Sequence, residues 1–358
     1  MDKTIVIAWG DPPAMPGVQS VALLTDCGIL VTADAAGAIL WQLPTGNSFT
    51  SSDSIDQLAS SLEVKPYAML LPAHEDQAGT RSTVVAVAGC AASALEPACV
   101  LTASSDGSAC VWQASTGRCL LSNSALLDFC PRYVQVLPDR RFVLCAGDDS
   151  KMVLVDVERM IGVLALPGHS SHIEAVSMRQ SQDEGGRSLS ATVASICQDG
   201  VVQFWEFRHV QDGQMSGMKG KYEVTASRWP ATKINVVDSS GSSLRTCALE
   251  LTQDVEMFLV VTCEFAKLYR TSSSAEKGNE CVCTLLPPAG PFDGGCLCDR
   301  NGSSRVALWS TDGRVTIFEL SNAADAGSYE LVGVCQTPAE FPDGLMAGRA
   351  QSAADSTG

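Results

Sequence analysis

Apolar residues along the chain come in short β-rich runs separated by small polar turns. One arrangement recurs: a run, an Asp-Gly pair, then an aromatic five positions after the glycine. Leu101-Thr102-Ala103-Ser104-Ser105-Asp106-Gly107 leads to Trp112, and Ala194-Ser195-Ile196-Cys197-Gln198-Asp199-Gly200 leads to Trp205. Leu308-Trp309-Ser310-Thr311-Asp312-Gly313 leads to Phe318. Three weaker copies fill the intervals. Asp34 and Gly37 lead to Trp41 with a spacing one residue shorter, Leu144 to Ser150 leads to Val155 without an aromatic, and Leu259 to Glu264 leads to Tyr269 without the turn glycine.

Each copy predicts a hairpin. The turn needs a residue that tolerates positive φ, which Asp-Gly supplies, and the strand after it closes on a large apolar side chain held between packed sheets. A polar cluster with glycine, such as Gln113-Ala114-Ser115-Thr116-Gly117, then leads into an outer strand. The closing positions 41, 112, 155, 205, 269 and 318 are 71, 43, 50, 64 and 49 residues apart. The shortest intervals match the ~40–45 residues of a four-stranded repeat, and the surplus falls in Ser-, Thr-, Gly- and Met-rich loops.

The predicted fold is therefore all-β, a WD-repeat β-propeller over residues 1–336 with six recognisable blades of an expected seven. The strand Thr4 to Trp9 belongs to a seventh, incomplete blade, so the ring is expected to be open or imperfectly closed. Residues 337–358, rich in Pro, Gly, Ala and Ser, are expected to form a disordered tail. In such repeats a histidine ahead of the first strand bonds the turn aspartate and supports the closing aromatic. The spacings pair His74 with Asp106, and His169 or His172 with Asp199. The structural residues predicted from this pattern are His74, Asp106, Trp112, His172, Asp199, Trp205, Asp34, Trp41, Asp312 and Phe318.

Charge narrows the function classes. Forty acidic residues against 24 basic ones give a net charge of −16, so phosphate backbones and anionic lipid surfaces are repelled, and no nucleic-acid role is expected. The N-terminal apolar run is too short for a signal peptide and is broken by Asp11-Pro12, and no stretch is long enough to span a membrane. A soluble, cytoplasmic product is expected. Fifteen cysteines spread through strand-like runs then read as reduced thiols, and Asn301-Gly302-Ser303 as a turn.

Motifs that could carry chemistry have simpler readings. Cys281/Cys283 and Cys296/Cys298 stand two apart on strands, without the knuckle spacing of zinc ligands, so core thiols are expected. His169 and His172 lack a third ligand at a matching spacing. Asp148-Asp149 and Asp183-Glu184 sit in turns, and neither a nucleophile elbow nor a phosphate-binding loop occurs. No catalytic residue, cofactor or metal is expected.

The order of complete and degenerate repeats resembles the N-terminal propeller of the rabconnectin-3 beta subunits. The likeness runs from Thr4-Ile5-Val6-Ile7-Ala8-Trp9-Gly10 through Val21 to Gly28, Ile39 to Leu43, Glu63 to His74, Ser115 to Cys119 and Met152 to Val157. It extends to a fifth repeat closing without Trp and a sixth with Trp309 before the turn. The resemblance implies a non-catalytic cytoplasmic scaffold, peripheral on vesicles or endosomes. Its implied partners are an alpha-type rabconnectin-3 subunit and subunits of the vacuolar proton-pumping ATPase, whose assembly it would promote. Family members continue into helical repeats and further WD repeats, so the chain is expected to be a fragment or a truncated product. The alternatives are an unrelated WD-repeat adaptor, such as a ubiquitin-ligase substrate receptor, and a propeller hydrolase.

Overall fold

The computed structural model describes residues 20–43, 66–70, 82–90, 98–182, 188–211, 222–271, 279–300, 303–320, 329–336 and 349–352, with interruptions of one to three residues inside these ranges. They form six consecutive antiparallel sheets. No helix occurs among the described residues, so none is long and apolar enough to cross a membrane. The architecture is all-β and repetitive, as the alternation of apolar runs and turns predicts.

Sheet 1 contains β1 (Ser20–Leu24), β2 (Ile29–Asp34), β3 (Gly37–Gln42) and β4 (Pro66–Leu70). Sheet 2 contains β5 (Val84–Cys90), β6 (Cys99–Ser104), β7 (Ala109–Gln113) and β8 (Cys119–Asn123), and sheet 3 contains β9 (Pro131–Val136), β10 (Phe142–Gly147), β11 (Lys151–Asp156) and β12 (Ile161–Pro167). Sheet 4 is longer in its strands: β13 (Ile173–Gln182), β14 (Ser188–Cys197), β15 (Val201–Gln211), β16 (Tyr222–Arg228) and the short β17 (Thr232–Lys233). Sheet 5 has β18 (Thr246–Leu251), β19 (Met257–Thr262), β20 (Ala266–Arg270) and β21 (Glu280–Leu285). Sheet 6 has β22 (Phe292–Arg300), β23 (Ser303–Ser310), β24 (Arg314–Leu320), β25 (Tyr329–Gln336) and β26 (Arg349–Ser352).

Every predicted closing position, Trp41, Trp112, Val155, Trp205, Tyr269 and Phe318, lies on the third strand of its sheet. The irregular intervals between them reflect connections of unequal length. Arg300 and Ser303 pair across β22 and β23, and the turn expected at Asn301-Gly302 lies outside the described residues. The strand expected at Thr4 to Trp9 lies outside the described residues. So does the expected tail, except for Arg349–Ser352, whose backbone pairs with β25.

The chain divides into two compact units at Leu166 and Pro167, sheets 1–3 belonging to the first and sheets 4–6 to the second. Within each unit, first strands of successive sheets are neighbours: β1 with β5 and β5 with β9, then β13 with β18 and β18 with β22. The cores lie between sheets. Leu24, Val31, Leu40 and Leu70 of sheet 1 meet Val84, Val100 and Trp112 of sheet 2. Leu101 and Val111 of sheet 2 meet Val143, Val155 and Val157 on and beside sheet 3. Leu259 and Leu268 of sheet 5 meet Leu297, Val306 and Phe318 of sheet 6. Between sheets 4 and 5, Phe204 contacts Phe258 edge to face at 5.4 Å, and Phe258 stacks on Tyr269 at 5.1 Å. Trp112 and Phe318 thus face the preceding sheet.

A polar tie also joins β13 to β18. Arg179 Nε donates to Leu251 O at 2.7 Å, Ser177 Oγ accepts from Leu251 N at 3.1 Å, and Glu174 accepts from Thr246 N at 2.7 Å.

The thirteen described cysteines are all unbridged. The expectation that strand cysteines two apart share one buried face fails on β21, where Cys281 is exposed and Cys283 buried. Tyr269 pairs with Cys281 and Leu268 with Cys283, so Val282 is the extra residue of a β-bulge between the two thiols. Cys298 has a side chain outside the described set.

Candidate functional site

The recurring site is the junction of the second-to-third-strand turn, the closing aromatic and the residues ahead of the first strand. In sheet 2 the Asp-Gly turn is built as the sequence demands. Gly107 adopts φ of 82° and its N–H donates to Ser104 O at 2.9 Å, while Asp106 Oδ1 accepts from Ser108 N at 2.9 Å and from Ser108 Oγ at 2.6 Å. Gly107 O then accepts from Leu127 N at 3.0 Å, which ties the turn to the approach to the next sheet. Sheet 4 repeats this arrangement: Gly200 has φ of 73°, donates to Cys197 O at 2.9 Å and accepts from Ile234 N at 2.9 Å.

Burial alone would raise the Asp106 carboxyl. The Ser108 hydrogen bonds outweigh it and hold the group below the usual carboxylate range. A depressed folded-state value means stability that is present above the unfolded value and is lost as pH falls through the folded one. D106N is therefore expected to flatten the acid limb of a melting-temperature profile. A limb as steep as that of the parent chain would refute this role for Asp106.

The closing tryptophans have partners that the sequence reading missed. Trp41 Nε1 donates to Thr32 Oγ1 at 2.9 Å, and Trp112 Nε1 to Thr102 Oγ1 at 2.8 Å. Both threonines are buried on the second strand, nine and ten residues before their tryptophan. The clue was available, since Val31-Thr32-Ala33 and Leu101-Thr102-Ala103 place the threonine alike. T102V removes the acceptor while keeping the shape and strands a buried indole N–H, a loss of about 1–2 kcal/mol measurable by denaturant unfolding. A change below a few tenths would show the bond to be immaterial.

Sheet 4 departs from this arrangement. Ser195 occupies the position matching Thr102, but its Oγ lies 2.7 Å from His169 Nε2 and donates to Gln203 O at 3.4 Å. Trp205 Nε1 has no partner among the described residues, and the Arg228 guanidinium lies over its ring at 5.7 Å. Arg228 Nε donates to Gln203 Oε1 at 2.6 Å, and Gln203 Nε2 donates to Trp229 O at 2.8 Å. Asp199 accepts from Ser170 Oγ at 2.7 Å, with the Lys233 ammonium and the His172 ring nearby. Of the two candidate histidines, His169 thus meets the strand serine, whereas exposed His172 lies 3.8 Å from Glu174 Oε1. Ser195 is fully buried, which makes its contact with His169 a tie between the incoming loop and β14.

Cys197 closes β14 where Ser104, Thr262 and Ser310 end the matching strands, each pairing with the first residue of its sheet's first strand. Burial would raise the Cys197 thiol, but the neighbouring His169 and Ser171 side chains and the backbone N–H groups of Val201 and Asp199 bring it down to about 6. It takes the turn-capping place that Thr262 fills by bonding Phe265 O at 3.0 Å.

His74 and Asp312 lie outside the described residues, as does the side chain of Asp34. Phe318 is buried on β24, in contact with the core of sheet 5.

Two backbone features recur that no side-chain pattern announces. The second residue of the first strand is a bulge that the strand ladder skips in five sheets, at Val85, Arg132, Glu174, Cys247 and Asp293. A fourth-strand bulge faces the closing aromatic at Trp41, Trp112, Tyr269 and Phe318. The residue after the second strand also donates to the one before the first, as Ser105 N to Thr83 O, Asp148 N to Cys130 O, Gln198 N to His172 O and Thr311 N to Pro291 O. Among the described residues no group of histidine, cysteine and carboxylate side chains is arranged to hold a metal ion. No protein-family model and no curated protein matches the chain.

Proposed function

We propose that the chain is a WD-repeat β-propeller scaffold that binds other proteins, each of its six sheets being one blade. The observation that carries this reading is the repeated junction: a bulged first strand, a turn after the second strand and a closing residue on the third, recurring through sheets of unrelated sequence. The polar side chains that could be taken for reactive groups, Asp106, Ser195, His169 and Gln203, are engaged in holding turns and strands together. That use fits a scaffold whose function lies on its surface.

The resemblance to the rabconnectin-3 beta subunits supplies the biological role we favour: promoting assembly or regulation of the vacuolar proton-pumping ATPase on acidifying vesicles, with an alpha-type partner, from the cytoplasm. Affinity purification of the tagged chain from cells tests it. Recovery of proton-pump subunits with a large alpha-type partner is the expected result. Their reproducible absence, with ubiquitin-ligase components recovered instead, would replace this role by that of an adaptor on the same fold.

A further inference from the structure

The first two strands of sheet 2 place two thiols opposite each other. Cys90 ends β5, Cys99 begins β6, and the two are direct cross-strand partners. Both are fully buried, both are thiols, and both belong to the core shared with sheet 3, which also holds Cys145. Cross-strand partners project side chains to the same face of the sheet.

Ala114 N donates to Ala98 O, so the backbone groups of Ala98 point to β7 and those of Cys99 point to β5. The Cys90–Cys99 pair is therefore of the wide, hydrogen-bonded kind, with Cα atoms about 5.5 Å apart. That separation lies inside the roughly 4.4–6.8 Å that a disulfide spans, so a bridge can form without moving either strand.

We propose that Cys90 and Cys99 form a reversible redox staple across the β5–β6 hairpin, closed by a low-molecular-weight disulfide and opened by the corresponding thiol. In the first step one protein thiolate attacks a sulfur of oxidised glutathione and expels a glutathione thiolate, leaving a mixed disulfide. The second cysteine, deprotonated, attacks the protein-side sulfur and expels the other glutathione. Two S–H bonds are lost, one S–S bond is gained, and oxidised glutathione is reduced to two thiols. Both thiols are buried, and burial and then the neighbouring Cys99 push the Cys90 thiol far above its ordinary value, so exchange proceeds through local opening of the β5–β6 pair and closure is slow, on the order of hours. Reduced glutathione reverses the same two exchanges.

Incubating the full chain with oxidised glutathione, quenching with acid and alkylating in denaturant tests the staple by peptide mass mapping. The expected product is a peptide pair joined through Cys90 and Cys99, lighter by two hydrogens, which reduced glutathione converts back. C145S retains this product, whereas C90S and C99S each lose it. Full alkylation of Cys90 and Cys99 in the wild-type chain, with only exposed Cys119 and Cys281 carrying glutathione, would overturn the proposal. So would a Cys90 or Cys99 bridge made mainly to Cys145. Because mapping is done on the wild-type chain, the result does not depend on a variant that fails to fold.

Discussion

Replacing Trp112 by alanine lowers the stability of the first unit by about 3–5 kcal/mol, the range for deleting a buried aromatic from a close-packed core. Trp112 keeps only 8% of its surface exposed, and it fills the seam between Val31, Leu40 and Leu70 of sheet 1 and Val84 and Val100 of sheet 2. Alanine loses that burial, leaves a cavity between two sheets and orphans the Thr102 hydroxyl as an acceptor. W112F isolates the polar part, since it retains most of the apolar contact and removes the N–H, and a loss of about 1–2 kcal/mol is expected. W112F combined with T102V should cost less than the two separately, by about 1 kcal/mol, because each single change already breaks the shared bond. Unfolding must be followed with probes assigned to each unit, because a chain of two compact units need not unfold in one step. A W112A chain within 1 kcal/mol of the parent would show that the closing residue does not hold the seam.

The parts of this architecture that were legible in the sequence are those enforced by side-chain chemistry. Asp106-Gly107 and Asp199-Gly200 could be read because a positive φ selects glycine and an adjacent acceptor selects aspartate. The closing positions could be read because the interior between sheets selects large apolar residues, whether Trp112, Phe318 or the aliphatic Val155. The first-strand bulges could not. Val85, Arg132, Glu174, Cys247 and Asp293 share no size, charge or polarity, because a bulge is set by backbone pairing and leaves its side chain to local circumstance.

The candidate site was legible only to a similar depth. Spacing offers His169 or His172 as the partner of the turn aspartate, with His172 the one placed among the structural residues. In the structure the His169 ring reaches Ser195, while the short Ser170 hydroxyl, closer to the turn, takes Asp199. Sequence spacing placed both groups in the right corner of the sheet. It could not choose between acceptors four residues apart, because that choice depends on how the incoming loop crosses the strand ends. Once His169 holds Ser195, the hydroxyl that receives the indole N–H in sheets 1 and 2 is engaged elsewhere, and Arg228 covers the Trp205 ring instead.

Alanine at Gly107 tests the turn itself, with an expected cost of about 3 kcal/mol to the first unit. At φ of 82° any Cβ is strained, and here it would stand 2.2 Å from Leu127 O, a backbone atom that cannot rotate away. To relieve the overlap the chain must retreat and lengthen the bond from Leu127 N to Gly107 O, so the damage passes from the turn into the connection with sheet 3. Gly200 stands in the same position in sheet 4, where its Cβ would lie 2.5 Å from Ile234 O, and G200A should destabilise the second unit comparably. Gly241 supplies the control. Its φ of 84° is as unfavourable to alanine, yet nothing lies within 4 Å of its Cβ position, so G241A should cost only the backbone strain, about 1 kcal/mol. Equal losses for G200A and G241A in the second unit would mean that conformational strain alone explains the turn glycines. A clear excess for G200A would assign the difference to the tie between each turn and the approach to the next sheet.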